Sequence, residues 1–225
     1  MTGQKTDIWD FVVIGSGFGG AVSALRLVEK GYRVLVLEQG KRWRDSDFPN
    51  SNREWSKSLW WPMFRWFGLL KFSMFRHLFV VHGIGVGGGS LIYANTHLRP
   101  GKPFFEAPSW RHLADWNTEL LPHYDTAEKM LGVTQWNVMT RADELMKELA
   151  CDFAHADSFG LNRVAVFLGE AGKTVADPYF NGDGPPRTGC TSCGSCMTGC
   201  KVGAKNTLMK NYLWFAERRG AQIRP

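Results

Sequence analysis

The sequence has no apolar run fit to span a bilayer, no compact block of basic residues and, near its N-terminus, no stretch with the pattern of a secretory signal. Leu59 to Val81 comes nearest to a spanning segment. Pro62, Arg65, Lys71 and Arg76 interrupt it, whereas a spanning helix needs about 20 predominantly apolar residues in succession. Near the N-terminus, Ile8 to Ile14 is broken by Asp10 and runs directly into glycines, without the small-residue cleavage pattern of a signal peptide. Met1 therefore reads as a true start, and a cytoplasmic protein is expected. Lys and Arg number 27 against 21 Asp and Glu, a formal net charge of +6, but the two signs are interleaved. With no nucleic-acid motif beside them, these charges read as a solvated surface rather than a nucleic-acid face. Cysteine is scarce too, and four of the five fall in one cluster. In a reducing compartment that pattern points to metal or redox chemistry more than to a disulfide scaffold. With 225 residues, 44% of them hydrophobic, the chain can bury a substantial core and form one or two domains.

The stretch around which the chain is organised is Asp10-Phe-Val-Val-Ile-Gly15-Ser-Gly17-Phe18-Gly19-Gly20-Ala21. Phe11 to Ile14 is a short, β-branched apolar run of the kind a buried parallel strand uses, and the glycines start where it should end. Gly15 permits the tight turn, Gly17 lets backbone approach a pyrophosphate, and Gly20 lets the next helix pack closely on the strand. That helix would carry Ala21, Leu25 and Val28 on one face and stop at Gly31, its N-terminus facing the phosphates. Arg33 to Leu37 reads as a second buried strand, and Glu38 falls where a ribose-binding carboxylate belongs. Strand, glycine turn, helix, strand and acid in one unit make dinucleotide binding the expected function of this region.

Residues 41 to 58, with Pro49, Asn50 and Asn52, read as a surface connection. Leu59 to Val81 is crowded with aromatics: Trp60, Trp61, Phe64, Trp66, Phe67, Phe72, Phe75 and Phe79. Two uses suit it, a basic aromatic surface against a membrane or substrate entrance, and ordinary core packing. Packing is the expectation. A second glycine stretch follows, His82-Gly-Ile-Gly85-Val-Gly87-Gly88-Gly89-Ser90-Leu-Ile-Tyr-Ala-Asn95. Its consecutive glycines expose backbone N–H groups without side-chain obstruction, and Ser90 adds a hydroxyl, so a second cofactor contact is expected there.

These two stretches, GSGFGG with LEQG and then GVGGGSLIYAN, resemble the glucose-methanol-choline (GMC) oxidoreductases, in particular the cholesterol-oxidase-like branch. The resemblance covers nearly the whole chain. It implies an α/β architecture: a Rossmann-like FAD-binding βαβ domain with the start of an inserted α+β substrate (cap) domain. It implies FAD as cofactor, its adenosine end held by Gly15, Gly17, Phe18, Gly19, Gly20, Glu38 and Gly40. Gly85, Gly87, Gly88, Gly89 and Ser90 would run beside the pyrophosphate and flavin, with Asn95 near the ring. Along the chain the implied domains are 1–101 (FAD-binding, first part), 102–187 (start of the cap) and 188–225 (Cys-rich turn and return to the FAD domain).

In the middle part, Pro122 is expected to open a helix through Ala127, Met130 and Leu131 that Gly132 ends, and Thr140 with Asp143 to cap another through Leu145 and Leu149. His112, His123 and His155 lack partners at catalytic or metal spacing and read as surface residues. Asp177 to Pro186 should be a loop. Cys190, Cys193, Cys196 and Cys200 then give CxxCxxCxxxC, the spacing of a ferredoxin-type iron–sulfur run, although Lys201 stands where proline is customary. Zinc usually takes two separated knuckles. The third reading, thiols in a structural turn, is the one towards which the family resemblance leans. Asn206 or Thr207 should cap a last helix through Leu208, Tyr212, Phe215 and Ala216, with a strand beginning at Gln222.

Together these features imply an FAD-dependent oxidoreductase acting on the CH–OH group of a small alcohol or sterol by hydride transfer to flavin. In the family the catalytic base lies far into the C-terminal half, and no residue here matches it. No catalytic residue is therefore assigned. An unfinished cap and a strand started at the last residues are expected of an N-terminal fragment whose other half is elsewhere or a separate chain. The alternatives are an iron–sulfur electron-transfer subunit and an inactive FAD-binding remnant.

Overall fold

The computed structural model describes residues 8–51 and 53–225; Met1 and Asn52 lie outside the described residues. The chain forms two compact units, one that runs to Ala94 and resumes at Phe167, the other Asn95–Val166.

The first unit opens with strand β1 (Phe11–Ile14), helix α1 (Phe18–Glu29) and strand β2 (Val34–Leu37). β1 and β2 pair in parallel with Phe11 opposite Val34 and Ile14 opposite Leu37. The helix forms here because Ala21, Ala24, Leu25 and Val28 recur at helical spacing, and all four are buried. Burying side chains such as Leu25 and Val28 contributes roughly 1.5–3 kcal/mol each. Gly31 ends the helix in the left-handed region at φ 87°, its N–H donating to the Val28 carbonyl at 3.0 Å.

A short helix α2 (Trp55–Ser58) leads into two hairpins, β3 (Trp60–Trp61) with β4 (Trp66–Phe67) and β5 (Leu70–Met74) with β6 (Phe79–Gly83). Here the packing expectation fails. Trp61, Phe64, Phe67, Phe72, Phe75 and Phe79 are exposed, as are Met63, Met74 and Leu78. The physical reason is architectural: each hairpin is a two-stranded sheet of its own, so much of its apolar surface has no second layer against it. From this region Leu69 joins the core formed by Trp43, Phe48, Leu91 and Ile92, and Leu70 packs against it.

The second unit contains α3 (Lys102–Phe105), α4 (Trp116–Met130), β7 (Thr134–Gln135), α5 (Arg141–Asp152) and β8 (Arg163–Val164), with β7 and β8 antiparallel. α4 starts earlier than its proline suggests. Asp115 caps it by accepting from the Thr118 N–H at 3.3 Å, which leaves Pro122 inside the helix. The capping box of α5 forms as expected: Asp143 N–H donates to Thr140 Oγ1 and Thr140 N–H to the Asp143 carboxylate. His112, His123 and His155 are all exposed. Glu128 joins Arg99 and Arg163, accepting from both guanidinium groups.

The chain then returns to the first unit earlier than residue 187. Phe167 N–H donates to the Ala204 carbonyl, and Cys190 N–H to the Phe167 carbonyl, both at 2.9 Å. After the small hairpin β9 (Thr174–Val175) and β10 (Arg187–Thr188), Arg187 is buried and donates to Asn206 Oδ1 at 2.9 Å and to the Lys210 carbonyl. The expected last helix is divided. A 3-10 turn at Leu208–Lys210 breaks at Asn211, whose side chain accepts from the Tyr212 N–H and restarts the chain as α6 (Tyr212–Arg218). α6 packs on α1, and β11 (Gln222–Arg224) joins β2 in parallel. The sheet order is β1-β2-β11. Among the described residues, no helix is long and apolar enough to cross a membrane.

The Glu128 cluster yields a pH prediction. Hydrogen bonds from Arg99, then from Arg163, outweigh burial and bring the Glu128 carboxyl from 4.5 down to about 2. The unfolded chain then binds the proton more readily than the folded one, so the stabilisation is present above about pH 4.5 and is lost as pH falls towards 2. Thermal melts are expected to show that Glu128→Gln lowers the melting temperature at pH 7 and has little effect at pH 2.

Candidate functional site

Two glycine loops meet backbone to backbone in the first unit. The first follows β1: Gly15 adopts φ 88° and donates its N–H to the Leu37 carbonyl at 2.8 Å. A Cβ at Gly20 would lie 2.0 Å from the Gly15 carbonyl oxygen, so α1 can start this close to its strand only with glycine there. Gly17 differs. A Cβ there would meet nothing within 4 Å, which leaves open space at the helix entrance. Gly17 is the N-cap of α1, no side chain caps the helix and no acid lies in its first turn. Such an N-terminus, with N–H groups directed outward and a partial positive charge, favours an anion.

The second loop follows β6. Gly85, Gly87 and Gly88 take φ values of 135°, 103° and 50°, and a Cβ at Gly88 would sit 2.8 Å from Gly17 Cα. The loops are joined by polar bonds as well. Gly87 N–H donates to Ser16 Oγ at 3.0 Å, and that buried hydroxyl donates to Glu38 at 2.6 Å. Glu38 also accepts from the Ser16 N–H at 3.0 Å and the Gly40 N–H at 3.1 Å. A carboxylate has about four acceptor positions, so one remains for a ligand hydroxyl.

The structure thus gathers Gly15, Gly17, Gly20, Glu38, Gly87 and Gly88 into one region, with Phe18 half exposed at the start of α1. Gly19 lies in the same first turn, and Gly89 has only the Phe18 ring near its Cβ position, at 3.7 Å. Three other residues are occupied in packing. A Cβ at Gly40 would be 2.5 Å from Gly85 N, and one at Gly85 would strike the Trp43 ring at 2.4 Å. Ser90 is fully buried; its hydroxyl donates to the Gly87 carbonyl at 2.7 Å and accepts from the Leu208 N–H at 3.0 Å. That hydroxyl braces the loop. Asn95 falls in the second unit, in the left-handed region at φ 60°, its carbonyl accepting from the Ala165 N–H at 2.8 Å.

Lys205 is a feature that sequence reading missed. It has no solvent exposure, and its ammonium donates to the carbonyls of Leu91, Tyr93 and Cys196 at 2.8, 3.1 and 2.6 Å. Burial lowers its pKa to about 8, against the opposing influence of Cys196 and Cys200. It ties the end of the second glycine loop to the cysteine segment. Ser16 was missed as well, though a hydroxyl between two loop glycines is a signal that could have pointed to it.

The four clustered cysteines are not assembled as ligands. Among the described residues, no group of three or more His, Cys, Asp or Glu side chains is placed to hold a metal ion. Cys190 Sγ accepts from the Ser192 N–H and Cys200 Sγ from the Lys205 N–H, both at 3.4 Å, while Cys193 is exposed. The geometry corresponds to a structural turn rather than the ferredoxin-type site that the spacing allows.

Comparison with known proteins agrees with the glycine loops. Residues 13–44 match the NAD(P)-binding Rossmann-like domain family. A cholesterol oxidase of Mycobacterium tuberculosis is 50% identical over 96% of this chain and 38% of its own length. A cholesterol oxidase of Acinetobacter baumannii is 48% identical over 96% of the chain and 39% of its own length. An uncharacterized GMC-type oxidoreductase of M. tuberculosis is 29% identical over 95% and 30%, respectively. The chain therefore spans less than two fifths of the length of each of these curated relatives.

The two kinds of glycine separate in a stability test. Gly20→Ala should destabilise the fold by about 3 kcal/mol through overpacking against the Gly15 carbonyl, read as a melting temperature lower by about 10 °C. Gly17→Ala should leave melting unchanged.

Proposed function

We propose that this chain, a member of the GMC-type oxidoreductase family, is the FAD-binding part of a flavin-dependent oxidoreductase that acts on the CH–OH group of an alcohol or sterol. The observation that carries the reading is the pair of apposed glycine loops beside an uncapped helix N-terminus. A single Rossmann turn would serve NAD equally; a second glycine loop packed onto the first suits a longer cofactor that continues past the pyrophosphate. The cholesterol oxidases among its relatives supply the substrate class.

The residues present fit that cofactor. The α1 N-terminus at Gly17 offers N–H groups to a pyrophosphate, and Glu38, held by Ser16 and Gly40, offers an oxygen to a ribose hydroxyl. When bound, FAD supplies the acceptor for a hydride taken from the carbinol carbon. This chain's part is to bind and orient, and none of its residues is given the role of the base. An iron–sulfur cluster keeps only the cysteine spacing in its favour.

The reading needs further polypeptide. In doubly wound sheets of order 3-2-1-4, the first strand is central. Here, among the described residues, no strand pairs with the outer edge of β1, and Val12 and Ile14 are 51% and 79% exposed. Additional strands, from the same or a separate chain, would complete the sheet and bring the catalytic base.

Two experiments follow. Incubated with FAD and desalted, the purified chain should retain flavin absorption, and Gly17→Ala should weaken that retention at least about tenfold by obstructing the pyrophosphate; a wild-type chain that remains colourless sinks the proposal. The exposed hairpins form a second partner surface, which we assign to anionic lipid. Residues 59–83 contain no Asp or Glu but carry Arg65, Lys71 and Arg76 beside exposed Met74, Phe75 and Leu78. Co-sedimentation with phosphatidylglycerol vesicles should exceed that with phosphatidylcholine and fall in Phe75→Asp; equal pelleting in all cases removes the lipid assignment.

A further inference from the structure

Ser16 lies inside the first glycine turn, between Gly15 and Gly17, yet it has no solvent exposure. A side chain so enclosed acts on a ligand only through the groups it touches. Its hydroxyl touches two: the Gly87 N–H reaches the oxygen at 3.0 Å, and Glu38 Oε2 lies 2.6 Å away. An amide N–H can only donate, so the one hydroxyl proton goes to the carboxylate. The bonds therefore run in one direction, from the second glycine loop through Ser16 to Glu38, each polarising the next. The 2.6 Å separation is that of a charge-assisted O–H···O bond.

This direction fixes what Glu38 has left to offer. Each carboxylate oxygen has about two acceptor positions. Those of Oε2 are taken by the Ser16 hydroxyl and by the Ser16 N–H at 3.0 Å. On Oε1 the Gly40 N–H takes one at 3.1 Å, so the remaining position is on Oε1. Glu38 is half-buried rather than enclosed, as a carboxylate that meets a ligand must be. Without the hydroxyl, only the two longer N–H bonds would hold the carboxylate, and the Gly87 N–H would lose its acceptor. That unpaired donor would then compete with a ligand for the carboxylate, whose terminal torsion is broad and turns at little cost.

We propose that Ser16 is the positioning residue for ribose recognition: its hydroxyl satisfies the Gly87 N–H and pins Glu38 Oε2, which reserves one position on Oε1 for the 2′-hydroxyl of the adenosine ribose. The inference deepens the dinucleotide-binding reading and rests on it. Ser16 itself never meets the cofactor. It makes the choice of sugar depend on a residue of the second loop, 71 positions along the chain.

The test titrates the purified chain with ADP and with 2′-deoxy-ADP by calorimetry. Wild type should prefer ADP by at least about tenfold, the worth of a hydrogen bond to a charged group. In Ser16→Ala the preference should fall to about threefold or less, while 2′-deoxy-ADP, which makes no such bond, should bind within about twofold of wild type. Loss of packing alone would weaken both nucleotides together. In a Glu38→Ala background, where the preference is already gone, Ser16→Ala should change neither affinity further, because the two residues act as one unit. The unpaired Gly87 N–H should lower the melting temperature of Ser16→Ala by roughly 5 °C. Should that variant fail to fold, Ser16→Cys fills the site with a weaker donor and should lose the preference likewise. A folded Ser16→Ala or Ser16→Cys that keeps the full preference, equal binding of the two nucleotides by wild type, or a further loss in the double variant would overturn the proposal. A wild-type chain that binds neither nucleotide sinks the dinucleotide reading and this inference with it.

Discussion

The contact on which the site depends is between main chains, Gly88 against Gly17, with no room for a Cβ on Gly88. Glycine is a costly way to build a loop, because each one loses more backbone entropy on folding than alanine does, a difference of roughly 0.5–1 kcal/mol. The cost is offset by approach distance. A side chain at Gly88 would wedge the second loop away from the first, and the open space at Gly17 would no longer face a second backbone. The rest of the first unit serves this meeting: the β1–α1–β2 turn presents one loop, and the β5–β6 hairpin delivers the other.

Loops that meet in this way are not held by regular secondary structure, so their polar groups need other partners. Three buried side chains supply them. Ser16 bridges Glu38 to Gly87, Ser90 bridges Gly87 to Leu208, and Lys205 gathers three carbonyls. Such a network has high stakes, since inside a protein each bond is strong and each unmade one is costly. It also explains why the cysteine segment lies where it does. Lys205 is shared between the end of the second glycine loop and Cys196, so the cysteine segment is braced by the same ammonium as that loop.

How much of this was legible depended on distance along the chain. The β1–α1–β2 unit, the Gly31 stop, the Thr140–Asp143 box and a strand at Gln222 are local, and the sequence signals for each lie within a few residues. Asp115 displaced Pro122 as the start of α4 because a cap accepting a real N–H outweighs a proline preference, and Asn211 split the last helix for a similar reason. The roles of Ser90 and Lys205 were out of reach, since their partners stand 118 and 114 residues away. The aromatic stretch misled for a different reason: composition favours burial, but burial needs a second layer, and no periodicity states whether one is available. The cysteine spacing left a cluster, zinc and a structural turn all open for a related reason, because a ligand pattern in sequence does not fix where the sulfurs point.

The flank of β1 on which, among the described residues, no strand pairs has a consequence for the chain's behaviour in solution. Phe11-Val-Val-Ile is short, β-branched and uncharged, and carries none of the lysines, prolines or bulges with which natural sheets blunt an open edge. Its outward N–H and C=O groups form a ready template for another strand. Wherever that edge stands unpaired, a second copy of the chain can satisfy it, so a tendency to self-associate is the cost of a short apolar strand with an open side.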